Sequence, residues 1–196
     1  MSPSLDRVDA ARRRTRALAS HVDASPTSAS RGVVSSPEDW SAMVGATLGP
    51  GEWRTVDQSR VDAFAECTED HQWIHRAGAR TQFGGPVAHG MLSLSLLPAL
   101  CASVLPEQTW VGHELNCGFN RVRFVAPVHV GARVRAKAEL VSVRPLAPAA
   151  DARAKSEKGP HGVESVTRVT VEIEGGGKPA LAAEWVTRQY AKPTTG

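Results

Sequence analysis

From Val87 to Leu105 the chain carries no Asp, Glu, Lys or Arg, and this run constrains the fold more than any other feature. A stretch of that length is just enough to cross a bilayer as a helix. Gly90, Ser93, Ser95, Pro98 and Ser103 interrupt it, however, and no second span follows. A helix that is apolar all round can also be the buried axis of a soluble domain. The sequence downstream supplies what would wrap such an axis, so the membrane reading is rejected.

The wrapping comes as strands. Val130, Ala132, Val134, Ala136, Ala138 and Leu140 alternate with Gly131, Arg133, Arg135, Lys137 and Glu139, the period of a strand with one buried face. Val169, Val171 and Ile173 repeat the pattern, and a loose Gly175–Pro179 turn leads to Leu181, Ala183 and Trp185 on one face. Leu115–Val125 is strand-like too, but its alternation slips at Asn120–Arg121, which predicts a bulge. Within the apolar run, Val87, Met91, Leu94 and Cys101 fall on one stripe, and Pro98 should bend the helix. One helix followed by antiparallel strands predicts an α+β fold.

Upstream, Ser36 with Pro37 reads as the start of a helix over Pro37–Leu48, with Trp40, Met43 and Val44 as its packing face. Glu52–Val56 is a candidate first strand. Asp57 or Ser59 can cap a helix whose apolar positions Val61, Phe64 and Ala65 fall at i, i+3 and i+4. Residues 1–36, rich in Ala, Arg, Ser and Asp, read as a flexible tail, 37–191 as one domain, 146–161 as a disordered loop and 192–196 as a second tail.

Composition then excludes several functions. The net charge is only +3 and aromatics make up 5%, so no basic, aromatic-laced face for nucleic acid is visible. Three cysteines without CxxC or Cys/His spacing argue against a disulfide framework and a structural zinc site, and point to the cytoplasm. No P-loop, dinucleotide fingerprint or metal-binding His/Glu motif is present, so no cofactor and no metal are expected.

Chemistry concentrates between Asp70 and Met91. Asp70 and His75 are close enough to share one water or substrate proton, the minimum for general acid–base work. Phe83-Gly-Gly-Pro86 breaks the chain before His89-Gly90-Met91, and an N–H at a helix start can face a carbonyl oxygen that gains charge. Phe64-Ala65, Thr68, Asp70, His75, Phe83-Gly84-Gly85 and His89-Gly90-Met91 together resemble the MaoC-like, (R)-specific enoyl-CoA hydratase family. The form Glu69-Asp-His-Gln-Trp-Ile-His75 resembles its NodN-like branch. Gln72-Trp73 stands where most relatives carry Asn-Pro. The likeness runs from about Gly51 to Tyr190.

That resemblance implies a hot-dog fold, a curled antiparallel sheet around one long central helix. It implies a catalytic pair, Asp70 and His75, that adds water syn across a trans-2-enoyl thioester or reverses the step. Gly90 N–H would meet the enolate-like oxygen, with close packing as its other reading. The substrate itself brings coenzyme A or a phosphopantetheine arm. A homodimer follows from the family and from the edge that one curled sheet leaves bare. A hot-dog thioesterase, or a protein that only binds acyl thioesters, are the alternatives.

Other residues divide between function and packing. Gln72 and His71 can line the pocket entrance, and His89 the pocket itself. His89 can orient the site or sit buried against a carbonyl. Asn116 and Asn120 can hydrogen-bond the substrate or satisfy strand backbone near a bulge, the second being preferred, and Cys67 reads as a small buried hydrophobe and not a nucleophile. Arg76, Arg80, Arg121 and Arg123 can meet coenzyme A phosphates, or be ordinary surface charge.

Overall fold

The alternation in the last third of the chain becomes a sheet. The computed structural model describes residues 32–146 and 162–193. In chain order it comprises β1 (Val33–Val34), α1 (Pro37–Ala42), β2 (Thr47–Leu48), β3 (Arg54–Thr55), α2 (Gln58–Thr68), a 3₁₀ turn (Trp73–His75), α3 (Gly90–Ser95), α4 (Leu97–Cys101), β4 (Glu107–Gln108), β5 (Val111–Phe124), β6 (Arg133–Pro145), β7 (Gly162–Ile173) and β8 (Leu181–Ala191). The main sheet runs β2-β6-β7-β8-β5 with every pairing antiparallel, and β3 joins β2 along the outer edge of β6. Gly175, at φ 70°, makes the turn after β7 possible, because a side chain resists that left-handed backbone.

Each alternating set faces where the pattern predicts. Val134, Ala136, Ala138 and Leu140 are buried, as are Val169, Val171, Leu181, Ala183 and Trp185. Leu92, Leu94, Leu97, Leu100, Cys101 and Val104 of the helical segment share their cluster. The opposite face of the sheet carries cross-strand ion pairs, among them Arg135–Glu172 at 2.7 Å and Arg168–Glu139 at 2.7 Å. Hydrogen bonds from Lys137 and then Arg135 hold the Glu172 carboxyl below its usual range. The predicted bulge is present: β5 pairs Phe119 with Trp185 and Arg121 with Glu184, leaving Asn120 as the extra residue.

The long helix is corrected. Residues 87–89 are not helical, and the axis consists of α3 and α4, divided at Leu96. Pro98 has no N–H to give the Leu94 carbonyl and its ring crowds that oxygen, so the continuous ladder stops there. Val87 instead bridges His129, with Ala88 N–H on Val128 O at 2.8 Å. Met91, placed on the buried stripe by sequence, is 56% exposed, since the true stripe starts at Leu92. Val44 is also exposed: α1 ends at Ala42, so position 44 leaves the helical face. Cys67 is exposed on the outer side of α2, contrary to its reading as a buried hydrophobe.

A second, smaller core joins Val34, Trp40, Trp110, Leu140 and Val163. Beneath it Trp40 Nε1–H donates to Ser165 Oγ at 2.9 Å, and Ser165 donates to Gln189 Oε1 at 2.8 Å, so these buried polar atoms are satisfied. Packing therefore begins before Pro37. Val34 is 4% exposed on a strand paired in parallel with β4, and Ser36 Oγ caps α1 by accepting Asp39 N–H at 3.1 Å. The boundary expected at 36/37 cuts through this core, while most of the loop expected to be disordered lies outside the described residues. A chain beginning at Pro37 is expected to lose about 2–4 kcal/mol against one beginning at Gly32, from one buried valine and one cap. Equal denaturant midpoints for the two chains would remove Val34 and Ser36 from the fold.

Candidate active site

Asp57 opens α2 by accepting Arg60 N–H on Oδ1 at 2.8 Å. The helix ends on Glu69, whose φ of 60° is left-handed and costly for a residue with a Cβ. That turn swings the chain so that Asp70 leaves the helix end half-buried. The 3₁₀ turn then carries His75 inward to 7% exposure. Gln58 Nε2 of α2 donates to His75 O at 2.8 Å, and Arg76 Nη2 to His71 O at 3.1 Å, tying the turn to its surroundings. Replacing Glu69 by glycine is expected to stabilise the fold by roughly 0.5–1 kcal/mol, because only glycine adopts this backbone without strain. An unchanged or lower denaturant midpoint would show that the left-handed turn is not strained.

His75 Nδ1 lies 2.7 Å from Val87 O. A carbonyl can only accept, so the proton of the neutral ring is on Nδ1 and Nε2 keeps its lone pair. His89, 2% exposed, stacks on His75 with ring centroids 3.6 Å apart and planes 28° from parallel. Its Nε2 lies 3.0 Å from Asp70 O, and the same reasoning places its proton there. One ligand atom from each of Asp70, His75 and His89 falls within 4.8 Å of the others. Two imidazoles stacked nearly face to face cannot both aim an in-plane lone pair at one ion, so the geometry suits proton transfer better than metal binding.

A cleft of about 290 Å³ opens beside the pair, lined by Asp70 and His75 with Val61, Ala65, His71 and Gln72 among its walls. Asp70, His75 and Gln72, singled out from the sequence, all face this one cleft. His89 does not line this cleft; it lies buried against a carbonyl, and that carbonyl is the one of Asp70. Gly90 heads α3, and its N–H is one of the first four that a helix leaves without an intrahelical partner. It does not line this cleft. The Phe124 ring stands over it: a Cβ at position 90 would lie 3.2 Å from Phe124 Cδ1. Phe124, Val87 O, Gln58 and Glu69 escaped the sequence reading. Two of these act through backbone, which no residue pattern announces.

Arg76 lines the cleft as well, whereas Asn116, Arg123 and Cys101 are engaged or buried elsewhere. Asn116 Oδ1 accepts from Gly118 N–H at 3.1 Å and Trp185 Nε1–H at 3.0 Å, so it serves the strand. Arg123 Nη1 donates to Val122 O at 2.8 Å on its own strand. Burial, with a smaller contribution from Glu114, pushes the Cys101 thiol up to about 12, which leaves no reactive thiolate at neutral pH.

An antiparallel sheet packed on a helical axis, with a carboxylate and an imidazole facing one cleft, defines a hot-dog protein equipped for acid–base chemistry. Residues 39–158 match the MaoC-like domain, and the chain belongs to the MaoC-like dehydratase family. It is 40% identical to nodulation protein N of Rhizobium leguminosarum bv. viciae over 153 residues, covering 76% of this chain and 88% of that one. Against 3-hydroxyacyl-thioester dehydratase Z of Mycobacterium tuberculosis (strain ATCC 25618 / H37Rv) identity is 40% over 156 residues, 78% of this chain and 95% of the relative. The solved (R)-hydratase of A. caviae superposes with a TM-score of 0.51 at 26% identity, over 71% of this chain and 96% of its own.

Proposed function

We propose that the chain adds water syn across the double bond of a trans-2-enoyl thioester, giving the (3R)-hydroxyacyl product, and catalyses the reverse dehydration. One observation carries this reading: His75 Nδ1 is held by Val87 O, which in the neutral ring leaves the Nε2 lone pair free, in the same cleft as the Asp70 carboxyl. A water lodged between them donates a hydrogen bond to Nε2. Its oxygen adds to Cβ, the pair takes one proton from it, and the pair returns one proton to Cα. Since both groups approach from one side, the addition is syn. Both groups face the same water, so the steps are assigned to the pair and not to either residue alone.

In this reading Gly90 N–H meets the thioester oxygen as the enolate charge develops. Protons and water are the only reagents, so no cofactor beyond the substrate's own thioester carrier takes part. A homodimer is part of the proposal. Among the described residues β5 pairs only with β8, and Leu115, Phe124 and Val125 beside its other edge are about half exposed. A second copy covers such an edge. No helix among the described residues is long and apolar enough to cross a membrane. A cytoplasmic location completes the reading.

Crotonyl-CoA distinguishes the alternatives. Hydration removes the conjugated enone absorbance without freeing a thiol, and that is the expected result. Thiol release would establish a thioesterase. Binding with neither change would establish a carrier.

A further inference from the structure

His89 presents an unresolved cost. Its ring is 2% exposed, and Nδ1 is buried without a hydrogen-bond partner among the described residues. A residue that merely filled this space would do better without that nitrogen, because a buried acceptor left unmade destabilises the fold. Phe64 lies against the ring with centroids 5.0 Å apart, so an aromatic hydrocarbon would suit the pocket. The other nitrogen supplies the reason for an imidazole. Nε2–H donates to the carbonyl of Asp70, and one face of the ring stacks on His75. A single side chain therefore touches both members of the acid–base pair, and it does so from the residue before the helix start.

We propose that His89 is a positioning residue for the catalytic pair, an inference that rests on the hydratase reading. It acts at two points. Asp70 follows Glu69, which sits in a left-handed backbone conformation, and such a turn relaxes unless something opposes it. The bond from His89 Nε2 to Asp70 O holds the turn after α2 in place. The stacked ring then limits how far the His75 imidazole can swing about its bond to Val87 O. Together the contacts fix the carboxyl and Nε2 of His75 relative to one water. His89 itself handles no proton in the reaction, since its one N–H is engaged and its Nδ1 is sealed from the cleft.

The test uses H89F, which keeps the bulk and stacking but lacks the donor, and H89Q, whose amide N–H can reach where Nε2–H stood. H89F is expected to lower kcat for crotonyl-CoA hydration roughly tenfold to hundredfold with little change in KM, the scale of a misplaced catalytic group. H89Q is expected to recover most of that loss. Combined with D70N, H89F is expected to cost less than about threefold further, because residues acting as a unit are not additive. Three kinetic results would overturn the proposal: wild-type kcat in H89F, a loss confined to KM, or H89F and D70N effects that multiply. Histidine 15N spectra give a readout that needs no turnover. They should show His89 protonated on Nε2, and backbone amide spectra should show the His71 amide, which shares its peptide with Asp70 O, displaced in H89F but not in H89Q. If wild-type protein hydrates nothing, the hydratase reading fails on its own. If the spectra show His89 protonated on Nδ1 instead, this proposal fails whatever the activity.

Discussion

Asparagine at position 75 is expected to reduce hydration of a short enoyl-CoA by about two orders of magnitude or more while leaving the fold intact. The choice of asparagine follows from the geometry. Its amide nitrogen takes the place of the imidazole Nδ1, so it can still donate to Val87 O, the bond now made at 2.7 Å. What disappears is the rest of the ring, including Nε2, the nitrogen that in the proposed mechanism accepts from water. Alanine at the same position would confuse the measurement. It would strand the Val87 carbonyl and open a void against the His89 ring, costing stability for reasons unrelated to proton transfer. Thermal unfolding of the asparagine variant should therefore stay close to wild type, and turnover should not. Near-wild-type kcat with unchanged unfolding would remove His75 from the mechanism.

Asp70→Asn should produce a loss of similar size. The substitution preserves shape, leaves the backbone carbonyl that accepts from His89, and keeps the oxygen that lies 3.5 Å from Gln72 N–H. Only the capacity to hold and pass a proton is lost. Substrate binding should be nearly unchanged, since in the proposed mechanism the carboxyl faces the reacting carbons and not the carrier. The double variant Asp70→Asn/His75→Asn should be little worse than either single variant, as expected of groups that work as a unit. Single-variant losses that multiply would instead mean two independent contributions, and retention of activity in Asp70→Asn would discard the pair.

Much of the domain was readable because its information is local. Ser36 and Asp57 each announce a helix start through side-chain oxygens three residues before the N–H they accept. The alternation of Val134, Ala136, Ala138 and Leu140 records which face of β6 is covered. The slip at Asn120 marks a true bulge because an extra residue reverses the facing of all that follow. Asp70 and His75 are near neighbours in sequence, so their meeting needs only one tight turn.

What escaped the sequence depends on distant partners. Val33–Val34 pairs with Glu107–Gln108, a parallel contact between dipeptides too short to carry any periodicity. The break at Leu96 was underestimated: Pro98 signalled a bend, yet the cost of its missing N–H falls on Leu94 in the turn before. Cys67 on α2 looked apolar enough to bury, but helix orientation is set by Val61, which is fully buried. The Phe124 ring over Gly90 joins the end of β5 to the start of α3 and has no local signature.

Both imidazoles are anchored to main-chain oxygens, Val87 O for one and Asp70 O for the other. Every amino acid brings that oxygen, so no codon change at position 87 can delete the acceptor; it can only move it. Inheritance therefore acts unevenly here. Under the proposed mechanism the identities of Asp70, His75 and His89 must be copied faithfully, while neighbours that merely lend backbone are free to drift within the limits of volume. A lineage can reshape the walls of this cleft, and with them the acyl groups it admits, without first having to rebuild the apparatus that aims the proton.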